Sequence, residues 1–299
     1  MKIVFFDDYI LGVLKGDRVV DVSAAVQDIP HLAPHHLING LIERFDQYKG
    51  RLEELASSSE GVPISQVRLR PPLPKPGTLL CMAVNYMEDG TRAEPAPINA
   101  FLKSPRAIIG DGDTIVLADE QANIFEHEAE LALVISKTAS KVNADDWRDY
   151  VFGYLNFIDV SSRGLGAPPM DSFFPTKSPL TSAPLGPYLV TADEIPDPLN
   201  LSIKLWVNGD LRQDFHTSDM AHQFPRMLEW TTSISTLEPG DVLATGTNHR
   251  GLGPLQDGDN VEMEIDGLGR LNLKVKDDQK REWPRETRLQ KEAREAAAS

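Results

Sequence analysis

Three glutamates alternate with other residues in one short segment, at Glu126, Glu128 and Glu130. If this segment is a β-strand, the alternation places the three carboxylates on one face. Residues 131–135 are apolar at every position, so the strand would continue into the core. Carboxylates at the mouth of a buried strand repel one another and stay charged only beside a cation or hydrogen-bond donors. Such oxygen ligands suit Mg²⁺ or Mn²⁺, and the alternative is a solvated acidic face.

Two further positions could complete such a site. Asp159 is the single acid in the apolar segment 153–160 and is the candidate third ligand, although a lone aspartate in a buried strand also suits a structural hydrogen bond. Lys177 could offset the acids or meet a substrate carboxylate, and its alternative is an ordinary surface lysine. The loop that ends at Thr247 could hold an anionic group with its backbone amides and hydroxyl, or be a tight turn. Together, the acidic segment and Asp159 favour a metal site.

The elements that must position these residues are mostly short strands. Before the metal-site candidates, the pattern predicts strands over 2–6, 10–14 and 18–22, an amphipathic helix over 36–56 and a proline-rich boundary over 61–76. After them it predicts strands over 131–135, 185–190, 201–207 and 261–265, a hairpin turn at Asn208-Gly209, and helices beginning at Asn143, over 224–234 and over 282–298.

These elements predict an α+β fold that is mostly β. The domain prediction has three parts: a small N-terminal α+β domain over residues 1–70, a catalytic domain over 71–280, and a charged C-terminal helix or tail over 281–299.

Composition narrows the classes of partner. The chain has 299 residues with 30 Lys and Arg against 45 Asp and Glu, so its formal net charge is −15. This balance argues against nucleic acid and anionic membranes as partners, and it allows a small anionic substrate that meets a local cation. The one cysteine, Cys81, lies in an apolar run and is predicted to be a core residue rather than a nucleophile. Since no signal peptide or membrane span is visible, we expect a cytoplasmic protein.

Seven motifs occur in an order that resembles the fumarylacetoacetate hydrolase family, over roughly residues 76–275. They are Val84-Asn85-Tyr86, Phe101-Leu102-Lys103-Ser104-Pro105, Glu128-Ala129-Glu130-Leu131, the run 153–163, Thr176-Lys177-Ser178, Val207-Asn208-Gly209 with Arg212-Gln213, and the run 237–247. No single motif is specific, but their shared order is. The resemblance implies a mixed β-roll main domain preceded by a small domain, and a homodimer.

The resemblance also implies a set of site residues. The metal ligands for Mg²⁺ or Mn²⁺ would be Glu128, Glu130 and Asp159, and Glu126 would be an extra acid, either beside the ligands or solvated. Lys177 would stabilise an enolate or a carboxylate. Substrate-binding candidates are Tyr86, Lys103, Arg163, Gln213, Thr247 and Arg250. The family's substrates are 2-oxo acids or acylpyruvates that chelate the metal through adjacent oxygens.

The sequence departs from the family where hydrolytic members carry a histidine that activates water. Asp89 stands at that position, after Glu88. The family's Arg-Asp-x-Gln is here Arg163-Gly164-Leu165-Gly166, and the loop after Gly246 is about one residue longer. Our hypothesis is that His249 and Arg250 enter the pocket and replace the lost groups. Glu88 or Asp89 is an alternative base, and a solvent-facing His249 is the alternative to this role.

The commonest activity that the resemblance implies is metal-dependent hydrolysis of a C–C bond in an acylpyruvate-like 2-oxo or 1,3-dicarbonyl acid. One alternative keeps the metal site for decarboxylation, tautomerisation or another lyase or isomerase step, none of which needs activated water. Another is a relative that binds a metal–oxo acid complex without turnover. Segments 92–99 and 167–174 are expected to set the substrate.

Overall fold

The structure is a computed structural model that describes residues 1–165 and 172–298. The strands are β1 (Lys2–Phe6), β2 (Ile10–Lys15), β3 (Arg18–Asp21), β4 (Val62–Pro63), β5 (Leu69–Arg70), β6 (Leu79–Met82), β7 (Ala100–Leu102), β8 (Ile108–Ile109), β9 (Thr114–Val116), β10 (Ile124–Glu126), β11 (Ala129–Ile135), β12 (Val151–Ile158), β13 (Ser161–Arg163), β14 (Ala183–Thr191), β15 (Ser202–Val207), β16 (Asp210–His216), β17 (Val242–Ala244), β18 (Asn260–Ile265) and β19 (Gly269–Lys276). The α-helices are α1 (Pro34–Glu43), α2 (Phe45–Ser58), α3 (Phe173–Lys177), α4 (Phe224–Ile234) and α5 (Arg288–Ala298). Short 3₁₀ turns cover Ser23–Val26, Ile64–Gln66, Pro105–Ala107, Ala144–Tyr150, Ala192–Glu194 and Thr217–Asp219.

One large mixed sheet carries the site. Its strand order is β4-β3-β2-β1-β14-β12-β11-β17-β6-β7, with β5 beside β1 and β8 beside β14. The leading strands therefore join the main sheet, because β1 pairs antiparallel with β14. A five-stranded sheet in the order β16-β15-β18-β19-β9 packs against it, and β10 pairs with β13 in a separate ribbon. The predicted α+β, mostly β class is confirmed.

Strand β11 is apolar along its length because both of its faces are buried. Leu133 lies in a core shared with Ile203 of the five-stranded sheet. Its neighbour Val134 lies in a second core, shared with Leu41 of α1. Successive side chains of a strand point to opposite faces, so two cores require apolar residues at consecutive positions.

Most predicted elements are confirmed within one or two residues, including the hairpin at Asn208-Gly209, where both residues have positive φ. The single helix over 36–56 is wrong. The chain leaves the helical conformation at Arg44 (φ −122°, ψ 25°) and begins a second helix at Phe45, whose ring packs edge-on against Phe152. The segment that begins at Ala144 is a 3₁₀ turn, and the C-terminal helix begins at Arg288 rather than at 282.

The core position of β11 gives a stability prediction. Because Leu133 is fully buried, Leu133→Ala is expected to lower the free energy of unfolding by about 2–5 kcal/mol. Urea denaturation followed by circular dichroism measures this change. The matched control is Ile234→Ala at the exposed end of α4, which is expected to change stability by less than about 0.5 kcal/mol. Equal effects in the two variants would contradict the assigned core.

In the part of the chain that the structure describes, none of the helices is both long and apolar enough to cross a membrane. Cys81 is buried, and burial raises the pKa of its thiol well above the ordinary value, as a core residue requires. The boundary near residue 70, the cytoplasmic location and the homodimer stay predictions.

Candidate active site

Three carboxylates meet where β11 and β12 end side by side. The two strands are antiparallel with Glu130 opposite Phe157, so the start of β11 lies beside the end of β12. Asp159 follows β12, and its backbone N–H donates to the carbonyl oxygen of Glu128 at 2.9 Å. Carboxylate oxygens of Glu128, Glu130 and Asp159 lie within 4.8 Å of one another, and all three side chains are buried. The solvated acidic face therefore does not describe these residues.

Glu126 does not lie in the strand that carries Glu130, and Glu128 lies between the two strands. The expected single strand through 126–135 is wrong, because β10 ends at Glu126 and β11 begins at Ala129. The break allows β10 to pair with β13 instead of continuing into the large sheet. Glu126 is buried and accepts hydrogen bonds from Arg163 and Arg288, so it is not a solvated acid.

Two buried lysines lie among the carboxylates. The ammonium group of Lys177 is 2.7 Å from Glu128 Oε2, 2.6 Å from Asp159 Oδ2 and 2.6 Å from Ser161 Oγ. Lys103 donates to Asp159 Oδ1 and, at 3.1 Å, to the carbonyl oxygen of Val160. Lys177 is only 4% exposed, so it is not an ordinary surface lysine.

Two of the three carboxylates, those of Glu128 and Glu130, have opposite electrostatic surroundings. Burial opposes the charge of Glu128, but Lys177 and Arg163 outweigh it and lower its pKa. Arg163 donates directly to Glu128 Oε1. Burial and the neighbouring carboxylates of Asp159 and Glu128 raise the pKa of Glu130 well above its usual range.

This donor set fits a small divalent cation. Glu130 accepts a hydrogen bond from the backbone N–H of Gly246 at 2.8 Å, and no basic side chain of residues 1–165 or 172–298 forms an ion pair with it. A cation shared by the three carboxylates would therefore stabilise the charged form of Glu130. The converging carboxylate oxygens suit Mg²⁺ or Mn²⁺ rather than a softer metal.

A second cluster joins two loops. His249 Nδ1 lies 2.6 Å from Glu88 Oε1, and its backbone N–H donates to Glu88 Oε2 at 2.8 Å. Burial opposes the charge of Glu88, but the hydrogen bond and charge of His249 outweigh it and lower its pKa. Glu88 and Asp89 both have left-handed φ, 56° and 54°, a backbone conformation that is strained for these residues and often found at functional sites.

Asp89 and Arg250 lie at the rim of this cluster. Asp89 accepts a hydrogen bond from Asn248 Nδ2 at 3.1 Å, and one of its oxygens is 3.6 Å from Arg250. Burial and Asp219 raise the pKa of Asp89. Arg92, in the segment predicted to set the substrate, lies 3.7 Å from Glu88. Of the other predicted substrate segment, residues 167–171 lie outside the described residues.

Gln213 connects β11 to the loop that carries His249. Its Nε2 donates to Thr247 Oγ1 at 2.8 Å, and its Oε1 accepts from the backbone N–H of Ala129 at 3.1 Å. His127 Nδ1 is 3.0 Å from the same oxygen, and burial lowers the pKa of His127 to about 4. Tyr86 is fully buried, and its ring packs edge-on against Phe215.

The structure thus brings most predicted site residues into two adjoining groups joined by one loop. Sequence reasoning did not select His127, because in an uninterrupted strand it would face away from Glu128. It also did not select Arg288, which belongs to the segment predicted to be a charged helix or tail. Since one charged residue in such a tail looks like any other, no signal in the sequence distinguishes Arg288.

Comparisons with known proteins agree with the motif order. Residues 78–276 match the family described as "Fumarylacetoacetate (FAA) hydrolase C-terminal". Maleylpyruvate hydrolase of Aquipseudomonas alcaligenes is 34% identical over 292 residues, 92% of this chain and 99% of that protein. Oxaloacetate tautomerase YisK of Bacillus subtilis (strain 168) is 32% identical over 88% of this chain and 94% of that protein.

A solved structure gives the same result for the fold. The crystal structure of maleylpyruvate hydrolase from Sphingobium sp. SYK-6, in complex with manganese(II) ion and pyruvate, has a TM-score of 0.84 and 35% identity, and the match covers 93% of this chain and 99% of that chain. The matches to the two maleylpyruvate hydrolases cover more than nine tenths of this chain and therefore extend beyond residues 78–276. This chain belongs to the fumarylacetoacetate hydrolase family.

Proposed function

We propose that this chain is a divalent-metal-dependent enzyme that hydrolyses a C–C bond of an acylpyruvate-like 2-oxo or 1,3-dicarbonyl acid. The observation that carries the proposal is the loop after β17, which binds Glu130 through the N–H of Gly246 and Glu88 through His249. A candidate metal site and a candidate proton-transfer pair therefore adjoin each other. The family's named hydrolase and tautomerase members support an enzyme of this class.

Glu128, Glu130 and Asp159 are the proposed ligands of Mg²⁺ or Mn²⁺. When bound, the ion would polarise the oxo oxygens of the substrate and stabilise an enolate. Lys177 remains protonated because Asp159 and Glu128 outweigh burial and raise its pKa. It therefore supplies positive charge and does not act as the base.

His249 is the proposed base. Glu88 is charged and has no proton to give, so His249 Nδ1 must carry the proton that they share. In the neutral imidazole, the lone pair of Nε2 would then take a proton from water, and Glu88 would stabilise the imidazolium that forms. This pair would replace the histidine that is absent at Asp89.

The proton balance of hydrolysis needs one such group. Water gives a proton to His249 Nε2, and its oxygen forms a bond to the acyl carbonyl carbon. The bond from that carbon to the methylene carbon breaks, and its electron pair stays on the methylene side as the pyruvate enolate. His249 then returns the proton to the methylene carbon, which yields pyruvate and a carboxylic acid.

A second candidate is tautomerisation of a 2-oxo acid such as oxaloacetate. The named activity of the Bacillus subtilis relative favours it. The same His249–Glu88 pair could move a proton between carbon and oxygen without activating water.

Metal removal tests the metal requirement, and a comparison of two substrates separates these candidates. With Mg²⁺, we expect acetylpyruvate to give acetate and pyruvate in a proton NMR time course, and EDTA to slow this at least about 100-fold until excess Mg²⁺ restores it. A full rate in EDTA would overturn the metal requirement. Faster loss of the oxaloacetate enol absorbance, without products from acetylpyruvate, would favour the tautomerase.

A further inference from the structure

We propose that Arg288 is a positioning residue that holds the His249 loop (residues 246–254) in place against the carboxylate cluster. This inference rests on the proposed role of His249. It concerns a segment beyond the family match, which ends at residue 276.

The side chain of Arg288 is anchored on the metal side of the site. Its Nε and a terminal nitrogen donate to the two oxygens of Glu126, at 2.9 and 2.6 Å. Glu126 also accepts from Arg163 at 2.8 Å, and Arg163 donates to Glu128. One chain of charged hydrogen bonds therefore connects Arg288 to a proposed metal ligand. A two-pronged guanidinium–carboxylate contact fixes direction as well as distance.

The backbone of the same residue is anchored on the His249 loop. The N–H of Arg288 donates to the carbonyl oxygen of Leu252 at 2.8 Å, and the N–H of Leu289 donates to that of Arg250 at 3.0 Å. The first N–H groups of a helix have no partner within the helix. Here they hold the loop, which is joined internally by the N–H of Leu252 donating to the carbonyl oxygen of His249 at 3.1 Å.

These two anchors depend on each other. Helix ends fray unless they are tied down, and the ion pair with Glu126 ties down the start of α5. Without it, the two backbone hydrogen bonds to the loop would form for a smaller fraction of the time. His249 would then keep the contacts of Glu88 and the Gln213 contacts to the residues before it, but the part of the loop after it would be held less firmly. Small displacements of a reacting group lower the rate steeply.

The same helix offers a matched control. Arg294 makes the same two-pronged contact with Glu286, at 3.0 and 2.8 Å, and among the described residues it forms no hydrogen bond or ion pair with the His249 loop. Arg294→Met removes an ion pair of the same geometry from α5, although Glu286 is more exposed than Glu126. A general effect of losing a two-pronged arginine contact from this helix would therefore appear in both variants.

The first measurement is hydrogen–deuterium exchange of peptides from the loop in the full-length protein. We expect Arg288→Met to speed exchange at these amides about 10-fold and Arg294→Met to leave it unchanged. Arg288→Lys keeps the charge but loses the two-pronged contact with Glu126, so an intermediate effect on exchange is expected. This variant also serves as the test should Arg288→Met fail to fold. Unchanged loop exchange in both Arg288 variants would overturn the proposal.

The second measurement is a double-mutant cycle with His249→Ala on acetylpyruvate turnover. Arg288→Met is expected to lower kcat about 10-fold with little change in KM or in the Mn²⁺ Kd measured by calorimetry, and to lower it less than about 2-fold when His249 is already alanine. An equal loss in both backgrounds would show that Arg288 acts independently of His249. If His249→Ala alone keeps full turnover, the proposed role of His249 as the base fails, whereas the exchange result still tests the loop contact.

Discussion

Glu130→Gln is expected to abolish turnover and to weaken Mn²⁺ binding at least about 100-fold. Even the substitution of a residue that only hydrogen-bonds to a metal ligand can lower metal affinity by up to that factor. The amide has the shape of the carboxylate and can still accept the hydrogen bond from Gly246. It lacks the negative charge that a cation would bind. The variant therefore removes the proposed ligand while changing the packing very little.

Calorimetric titration with Mn²⁺ measures the loss, and Glu126→Gln is the matched control. Glu126 is a buried glutamate four residues away, and its oxygens are taken by Arg163 and Arg288. We expect that variant to keep Mn²⁺ affinity within a few-fold. In EDTA, Glu130→Gln is expected to melt no lower than the wild type, because burial beside Asp159 and Glu128 disfavours the native charge. Wild-type Mn²⁺ affinity in Glu130→Gln would remove Glu130 from the ligand set.

His249→Ala is expected to lower kcat by about 10²–10⁴-fold, the usual contribution of a positioned acid–base group. Glu88→Gln is expected to cost less, about 10–10²-fold, because the imidazole remains but loses the charged partner that orients it. The double variant is expected to cost little more than His249→Ala, since the two residues act as a unit. Initial rates with acetylpyruvate at saturating Mg²⁺ measure these losses.

The control for this pair is His36→Ala, on the exposed face of α1, which is expected to leave kcat unchanged. The Mn²⁺ affinity of His249→Ala is expected to stay near that of the wild type, so that a loss of rate is not a loss of metal. Full turnover in His249→Ala would leave Glu88 or Asp89 as the base. It would leave the carboxylate cluster unaffected.

The carboxylate cluster was predictable because its signal is local. One segment has alternating acids directly before an apolar run, and another has one acid within an apolar run. Each segment therefore shows, within a few residues, that a charged group lies at a buried position. The break between Glu126 and Ala129 was not predictable in this way. It depends on the pairing of β10 with β13, and pairing between strands so far apart in the sequence produces no recognisable pattern in either segment.

The proton-transfer pair was predictable only in part. The absence of the family's histidine and the presence of His249 on a substrate loop suggested the replacement. Whether Glu88 or Asp89 would contact His249 depended on a left-handed turn through both residues, which is uncommon outside glycine. The break in the helix at Arg44 has a similar origin. The helical spacing of apolar residues continues through Arg44, and the packing of Phe45 on Phe152 sets the direction of the second helix.

The pairing of β1 with β14 covers one edge of β14 in the large sheet. β14 hydrogen-bonds to β1 on one side and to β12, which leads to Asp159, on the other. A different leading module would have to reproduce the registers of Lys2 with Val190 and Ile3 with Leu189 to pair with that edge. Without the leading strands, backbone N–H and C=O groups of β14 at this edge would be unpaired, and an exposed strand edge is a template for aggregation.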